Sequence, residues 1–235
     1  MTREKPIDTK VGVKPVVVQL IHSGPYEGPC RVGDRKSLEP ETEREQGKQN
    51  FNRFVGEFDK YLSSDARLLQ PVCIEWKDNF VLPEEELRKL ESDLEDVDLF
   101  VVSGGLTQYP AITIAHRHKK PIAMVGAIGT VDVAAYLRSR GLEGYAPLDF
   151  DELNHLISLL RVRKAIRNTK MLVALEGDII PLGVVSTIWD LEGLRDRFGV
   201  EHISLPAETL FEEMEKLPQE DARRAEELTD KLIQN

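Results

Sequence analysis

The sequence predicts an α/β fold built on a parallel sheet, and three observations carry that prediction. Short β-branched runs alternate with amphipathic helical patterns along almost the whole chain, an order that calls for parallel strands joined by helical crossovers. The first run, Lys14-Pro15-Val16-Val17-Val18-Gln19-Leu20-Ile21, is nearly continuous in apolarity, as a parallel strand buried on both faces requires. The 235 residues are 41% hydrophobic, which is enough chain to bury a sizeable core.

After that first strand, Ser23 to about Glu39 carries Gly24, Pro25, Gly28, Pro29 and Gly33 and reads as a long loop. A helix follows from about Glu41 to Leu62, with Phe51, Phe54, Val55, Phe58 and Leu62 on one stripe. Leu68 to Ile74 reads as the second strand. Pro83 then sits at the first position of a helix whose Glu84-Glu85-Glu86 complements the positive end of the helix dipole.

Val97 to Val102 is the third strand, ending in Ser103-Gly104-Gly105, and Pro110 opens a helix to about His118. Pro121 to Val125 is the fourth strand, and a helix from about Thr130 to Ser139 is stopped by Gly141 in the C′ position. A short strand near Tyr145-Ala146-Pro147 leads to a helix from Phe150 to about Arg167, with Leu153, Leu156, Ile157, Leu160 and Ile166 on its stripe. The tail reads as a strand Met171–Leu175, a helix about Thr187–Arg197 stopped by Gly199, a strand Val200–Leu205, and helices Ala207–Leu217 and Pro218–Gln234.

Residues 1–168 thus hold five strands and five helices, a complete three-layer domain. Residues 169–235 hold two strands and three helices, the start of an incomplete second α/β unit, because two strands make a poor independent sheet. Either the tail strands join the first sheet or the second unit needs chain not present here.

Composition narrows the function. With 31 Lys+Arg against 41 Asp+Glu the net charge is −10, and no basic stripe is available to neutralise a phosphate backbone, so no nucleic-acid partner is expected. Apolar runs such as Leu99-Phe100-Val101-Val102 are too short to span a bilayer, and Met1-Thr2-Arg3-Glu4-Lys5 lacks a secretory h-region. The expectation is a soluble cytoplasmic protein with no membrane contact. Cys30 and Cys73 form neither a disulfide framework nor a metal-ligand spacing.

Open α/β sheets bind ligands beyond the carboxyl ends of their strands, so chemistry is sought there. The loop after the first strand lacks GxGxxG, and no GxxxxGK[ST] occurs in the chain. Its Arg31 and Arg35, with Lys36, offer donors to a polyol or an anion, or else belong to a solvated loop with local salt bridges. Ser103-Gly104-Gly105-Leu106-Thr107-Gln108-Tyr109 joins the third strand to a helix whose first turn has no acidic residue. Free N–H groups, a hydroxyl, an amide and a phenol gather there. Either this is a ligand-binding turn or a tight turn with a capped helix.

By contrast, Gly126-Ala127-Ile128-Gly129-Thr130-Val131-Asp132 places Asp132 in the first turn and reads as structural. His116 and His118 point to different faces and read as helix C-terminal cations alongside Arg117, Lys119 and Lys120. His155 and His202 read as structural. Glu176 and Asp178 flank Gly177 at a strand end, where they could exchange protons but have no neighbouring His or Cys to complete a metal shell. No catalytic or metal-ligating residue is assigned.

One longer segment is more specific. Gly177-Asp178-Ile179-Ile180-Pro181-Leu182-Gly183-Val184-Val185-Ser186-Thr187-Ile188-Trp189-Asp190, followed by Leu194-Arg195-Asp196-Arg197-Phe198-Gly199-Val200-Glu201-His202-Ile203, resembles the start of the middle domain of the L-fucose isomerase and L-arabinose isomerase superfamily. The leading section is similar too: a first strand, the basic loop Arg31-Val32-Gly33-Asp34-Arg35-Lys36, a long helix and the Ser103-Gly104-Gly105 turn.

The resemblance implies an N-terminal Rossmann-like domain followed by a second one. In whole family members it implies aldose–ketose isomerisation through an enediol, with manganese polarising the sugar oxygens while carboxylates move protons. The family's metal ligands fall beyond this chain, and none is carried onto Glu176, Asp178 or His202. What carries over is sugar recognition by Arg31, Arg35, Ser103, Gly104, Gly105, Thr107, Gln108 and Tyr109, and the expectation of a homo-oligomer or of a missing C-terminal domain. The first reading is therefore the N-terminal portion of a sugar isomerase-like protein. A freestanding sugar or sugar-phosphate binding or regulatory module is the second, and a different enzyme using Glu176 or Asp178 is the third.

Overall fold

A computed structural model describes residues 6–21, 39–77, 82–104, 108–126, 129–173 and 190–216, with 218, 221, 223 and 224. The chain divides into two compact units, one of Asp8–Lys164 and one of Met1–Ile7 with Ala165–Asn235.

The larger unit is a parallel α/β sheet with helices on both faces. β1 (Val11–Ile21) is its central strand, almost entirely buried. It pairs on one side with β2 (Ala66–Leu68) and β3 (Val72–Lys77), laid end to end, and on the other with β4 (Leu99–Gly104). β5 (Ile122–Met124) and β6 (Gly144–Tyr145) extend the sheet beyond β4, every pairing being parallel. The second strand expected at Leu68–Ile74 is therefore two. Leu69 still donates its N–H to Val13 O at 2.9 Å, but Pro71 has no N–H to give, and the ladder resumes only at Val72.

Strand pleating sorts the apolar residues into two layers. Val16, Val18, Ile74, Trp76, Phe100, Val102, Ile122 and Met124 face α2 (Glu84–Arg88), α3 (Gln108–His118) and α4 (Thr130–Ser139), meeting Leu87, Ile114 and Leu137. Val11, Val13, Val17, Leu99, Val101 and Ala123 face α1 (Pro40–Tyr61) and α5 (Phe150–Asn168), meeting Phe54, Phe58, Leu153 and Ile157. The three-layer arrangement is the one that a both-faces-apolar β1 demands.

Helix ends follow local chemistry. Gly141 takes φ 72°, Leu142 N–H donates to Leu137 O and Gly141 N–H to Arg138 O, both at 3.0 Å, closing α4 in a Schellman motif. At the start of α5 the Glu152 N–H donates to Asp149 Oδ1, while Glu152 Oε2 accepts from Leu148 N–H, each at 2.9 Å. Pro83 is the residue before α2 rather than its first helical residue, and α2 is only five residues long. Ile166 departs from the expected α5 stripe: Leu153, Leu156, Ile157 and Leu160 are buried, whereas Ile166 is exposed. His155 on the same helix is exposed.

The smaller unit contains β7 (Lys170–Val173), α6 (Leu191–Phe198), β8 (Glu201–Ser204) and α7 (Ala207–Glu215). β7 and β8 pair in parallel as a separate two-stranded sheet rather than joining the first. Asp190 caps α6 by accepting the Gly193 N–H at 2.8 Å, and Gly199 at φ 75° ends it. Glu176 and Asp178 lie outside the described residues. Among the described residues no helix is long and apolar enough to cross a membrane.

Candidate functional site

Strand order directs attention to one place on the larger unit. The chain moves from β1 to one side of the sheet and then crosses to β4 on the other, so the connections leaving β1 and β4 part at their carboxyl ends. Such a switch point is where open α/β sheets form a ligand crevice. In register, Val17 lies beside Ser103 and Val18 beside Gly104. Ser103 and Gly104 are thus the last residues of β4, not members of a turn.

Gln108 and Tyr109 also depart from the expected turn, because α3 begins at Gln108. Pro110 is tolerated as the third helical residue since its missing N–H is one of the first four that have no intrahelical acceptor. The first turn of α3 has no acidic residue, whereas α1 carries Glu41 and Glu43, α4 Asp132 and α5 Asp151 and Glu152. The positive end of the α3 dipole is the one left without a neighbouring carboxylate in its own turn.

The aromatic side chains give this edge its shape. Tyr109 stacks on Trp76, with ring centroids 6.1 Å apart and planes 18° from parallel. Trp76 is 1% exposed and Tyr109 49%, so the indole supports a phenol ring that keeps half its surface open. Trp76 escapes the sequence reading because the second strand is expected to end at Ile74. The alternation Val72, Ile74, Trp76 is the signal that could find it.

Gln108 is half-buried beside the start of α4. A Cβ on Gly129 would come within 3.2 Å of the Gln108 amide nitrogen, and Gly129 already holds φ 82° as the α4 N-cap. Glycine at 129 therefore both makes the left-handed turn and leaves room for the amide. Gln19, near the carboxyl end of β1, is not available to a ligand: its amide donates to the Glu43 backbone oxygen, and Gly47 leaves the space for it.

The far end of α3 fixes its position. Arg117 forks onto Glu84 with two hydrogen bonds of 2.7 Å and reaches Glu91 at 2.8 Å. The guanidinium holds the Glu84 carboxyl below its usual range. His118 does not act as the helix-end cation that the sequence suggested. Its ring lies 5.7 Å from that of Phe100, and burial, with Arg117 next to it, pushes the imidazole below its ordinary value. His116 remains exposed, and His202 is half-buried on β8.

Arg31, Arg35, Gly105 and Thr107 lie outside the described residues, as do Cys30 and Lys36. Cys73 is a half-buried free thiol on β3, pushed up first by burial and then by Glu75, a poor state for a nucleophile. Among the described residues no three His, Cys, Asp or Glu side chains come together to hold a metal ion.

No family model matches the chain, and no curated protein matches it.

Proposed function

We propose that the Asp8–Lys164 unit is a cytoplasmic recognition domain for a sugar, bound at the carboxyl edge between β1 and β4. The observation that carries this reading is the Tyr109–Trp76 stack at the uncharged start of α3. A pyranose or furanose ring has an apolar C–H face and a rim of hydroxyls. An aromatic face beside hydrogen-bonding groups suits both features.

In this reading Tyr109 takes the C–H face, and the Gln108 amide, the Ser103 hydroxyl and the first N–H groups of α3 serve the hydroxyls. Arg31, Arg35, Gly104, Gly105 and Thr107 complete the sugar-binding set. The absence of an acidic side chain from the first turn of α3 means that ligand oxygens there meet donors without a competing carboxylate.

The isomerase resemblance extends the proposal: the chain is the N-terminal portion of an aldose–ketose isomerase-like protein, contributing sugar recognition and subunit contacts. Manganese in a whole family member would polarise the sugar oxygens. Among the described residues no three His, Cys, Asp or Glu side chains come together to hold it.

Calorimetry of the purified chain against pentoses, deoxyhexoses and sugar phosphates tests the reading. Heat from at least one sugar class, weakened about tenfold or more by Tyr109→Ala, is expected, a loss of the size that removing an aromatic contact produces. Silence across the panel overturns it. For the incomplete-enzyme part, the sugar C2 hydrogen should not exchange with deuterated water when chain, manganese and sugar are mixed. Exchange would place the proton-transfer groups in this chain after all.

A further inference from the structure

α3 and α4 both end at the amino edge of the sheet, where the chain turns into the paired strands β5 and β6. Ile122 N–H donates to Glu143 O at 2.9 Å, so the segments entering the two strands run side by side. Tyr136 of α4 bridges the helices: its ring centroid is 6.3 Å from that of His116 on α3, and the Arg140 guanidinium lies 5.5 Å over it. Lys119, Lys120 and Arg140 thus share one surface with the exposed His116 and a Tyr136 side chain that is 39% exposed.

In a chain of net charge −10 these cations stand unpaired. Among the described residues none of Lys119, Lys120 and Arg140 has a carboxylate within ion-pair reach. Acids on adjoining elements are engaged elsewhere: Glu84 and Glu91 hold Arg117, and Glu143 accepts from Arg163 at 2.6 Å and from the Tyr145 hydroxyl at 2.8 Å. Helix-end carbonyls call for part of this positive charge, since each dipole ends in about half a negative charge. Two ends account for about one unit, and three cations leave a surplus of about two.

Lys119 adds a separate sign. It holds φ 54°, alone among the described residues other than glycine. At the corresponding place after α4 the chain uses Gly141, at φ 72°. A lysine kept in that conformation retains a cation at a backbone cost, and such a cost points to function.

We propose that the surface at the carboxyl ends of α3 and α4 docks an acidic segment of another protein, its carboxylates met by Lys119, Lys120 and Arg140 and an apolar side chain resting on Tyr136. A single exposed ion pair contributes little, so a ligand with one anionic group gains little here, whereas a segment with several carboxylates adds the contacts together. A nucleic acid would need a longer basic track and free aromatic faces for stacking, and Arg140 already lies over the Tyr136 ring. The 11 residues of α3 put about 16 Å between this surface and Tyr109, so the proposal does not rest on the sugar reading.

Fluorescence anisotropy of a labelled peptide of repeated glutamate, aspartate and leucine, titrated with the full chain, reads the docking. Saturable binding is expected at about 50 mM salt and should weaken about tenfold at about 300 mM, because exposed charges are screened. The glutamine–asparagine counterpart should not bind. Lys119→Glu combined with Arg140→Glu should weaken the peptide at least tenfold, whereas Lys48→Glu, which reverses an exposed cation on α1, should leave it unchanged. Circular dichroism should be the same in all three proteins. Lys119→Gly separates backbone from charge: its melting temperature should rise while binding weakens about threefold. Absence of binding at low salt overturns the proposal. So does an equal loss in the Lys48 variant, which would mark net charge rather than this surface, and so does a Lys119→Gly protein that binds as tightly as the parent. Tighter binding of tripolyphosphate or single-stranded DNA through residues 119 and 140 would overturn the acidic segment as the occupant.

Discussion

The Lys14 ammonium has no exposed surface and is paired with the Asp93 carboxylate. Lys14 lies on β1 directly beside Phe100 of β4, on the face lined by α2, α3 and α4, and Asp93 reaches it from the segment between α2 and β4. Removing one partner of such a pair leaves a charge with no solvent, which costs more than the pair ever contributed. Asp93→Asn should lower stability by about 2–3 kcal/mol, below the full value for a buried pair because the Asp93 side chain is partly exposed. Lys14→Met added to Asp93→Asn should recover most of that loss, since the buried charge is then gone. Urea unfolding midpoints of the three proteins decide the matter. A single variant as stable as the parent would mean that water reaches Lys14.

This pair also marks where sequence patterning stops. The β-branched run from Val16 announces β1, and helical stripes announce α1 and α5, because each records a one-dimensional period imposed by one neighbour. Lys14 is the polar first residue of that run, and only the position of Asp93 explains its burial. In the same way Ser103 and Gly104 are legible as residues at a strand's carboxyl end, but the support that Trp76 gives Tyr109 depends on β3 and α3 meeting in space. His118 looks like a cation on spacing alone, and its burial beside Arg117 pushes the imidazole toward the neutral form.

Two glycines near the end of α4 separate backbone strain from crowding. Gly141 holds φ 72° in open space, so Gly141→Ala meets only the left-handed backbone penalty, about 1–2 kcal/mol. At Gly144, on β6, a Cβ would lie 2.9 Å from both Ala134 Cα and Leu137 Cβ. Gly144→Ala must therefore move α4 away from the sheet and should cost about 2–3 kcal/mol, as overpacking does. Thermal melts should rank Gly144→Ala as the less stable variant. The opposite ranking would mean that α4 shifts freely on the sheet.

Stability should carry a pH signature from His118. Its folded value lies below the ordinary 6.5, first because burial disfavours the imidazolium and then because Arg117 repels it. The unfolded chain therefore binds the proton more readily. His118 contributes fully above about pH 6.5, and that contribution falls away as pH drops from there to the folded value. Glu84, held low by Arg117, loses its contribution only below its usual 4.5. Urea midpoints between pH 5 and pH 7.5 should show the slope, and His118→Gln should flatten it. An unchanged slope in the variant would assign the effect to other groups.

The Tyr109 ring separates fold from function. Half of it is exposed, so its stack on Trp76 contributes about 0.5–1.5 kcal/mol at most to stability, and Tyr109→Ala should fold. The same variant uncovers the indole. In a Trp189→Phe background, which leaves Trp76 as the sole tryptophan of the two, its fluorescence emission should shift to longer wavelength. Tyr109→Phe keeps the ring and should keep the emission unshifted. If sugar binds by its C–H face on that ring, Tyr109→Phe should also bind within about threefold of the parent while Tyr109→Ala loses about tenfold or more, because only the alanine variant removes the apolar face. Equal losses in both variants would move the contact from the ring face to the phenol oxygen. Equal retention would remove Tyr109 from the site, and with it the observation on which the sugar reading rests.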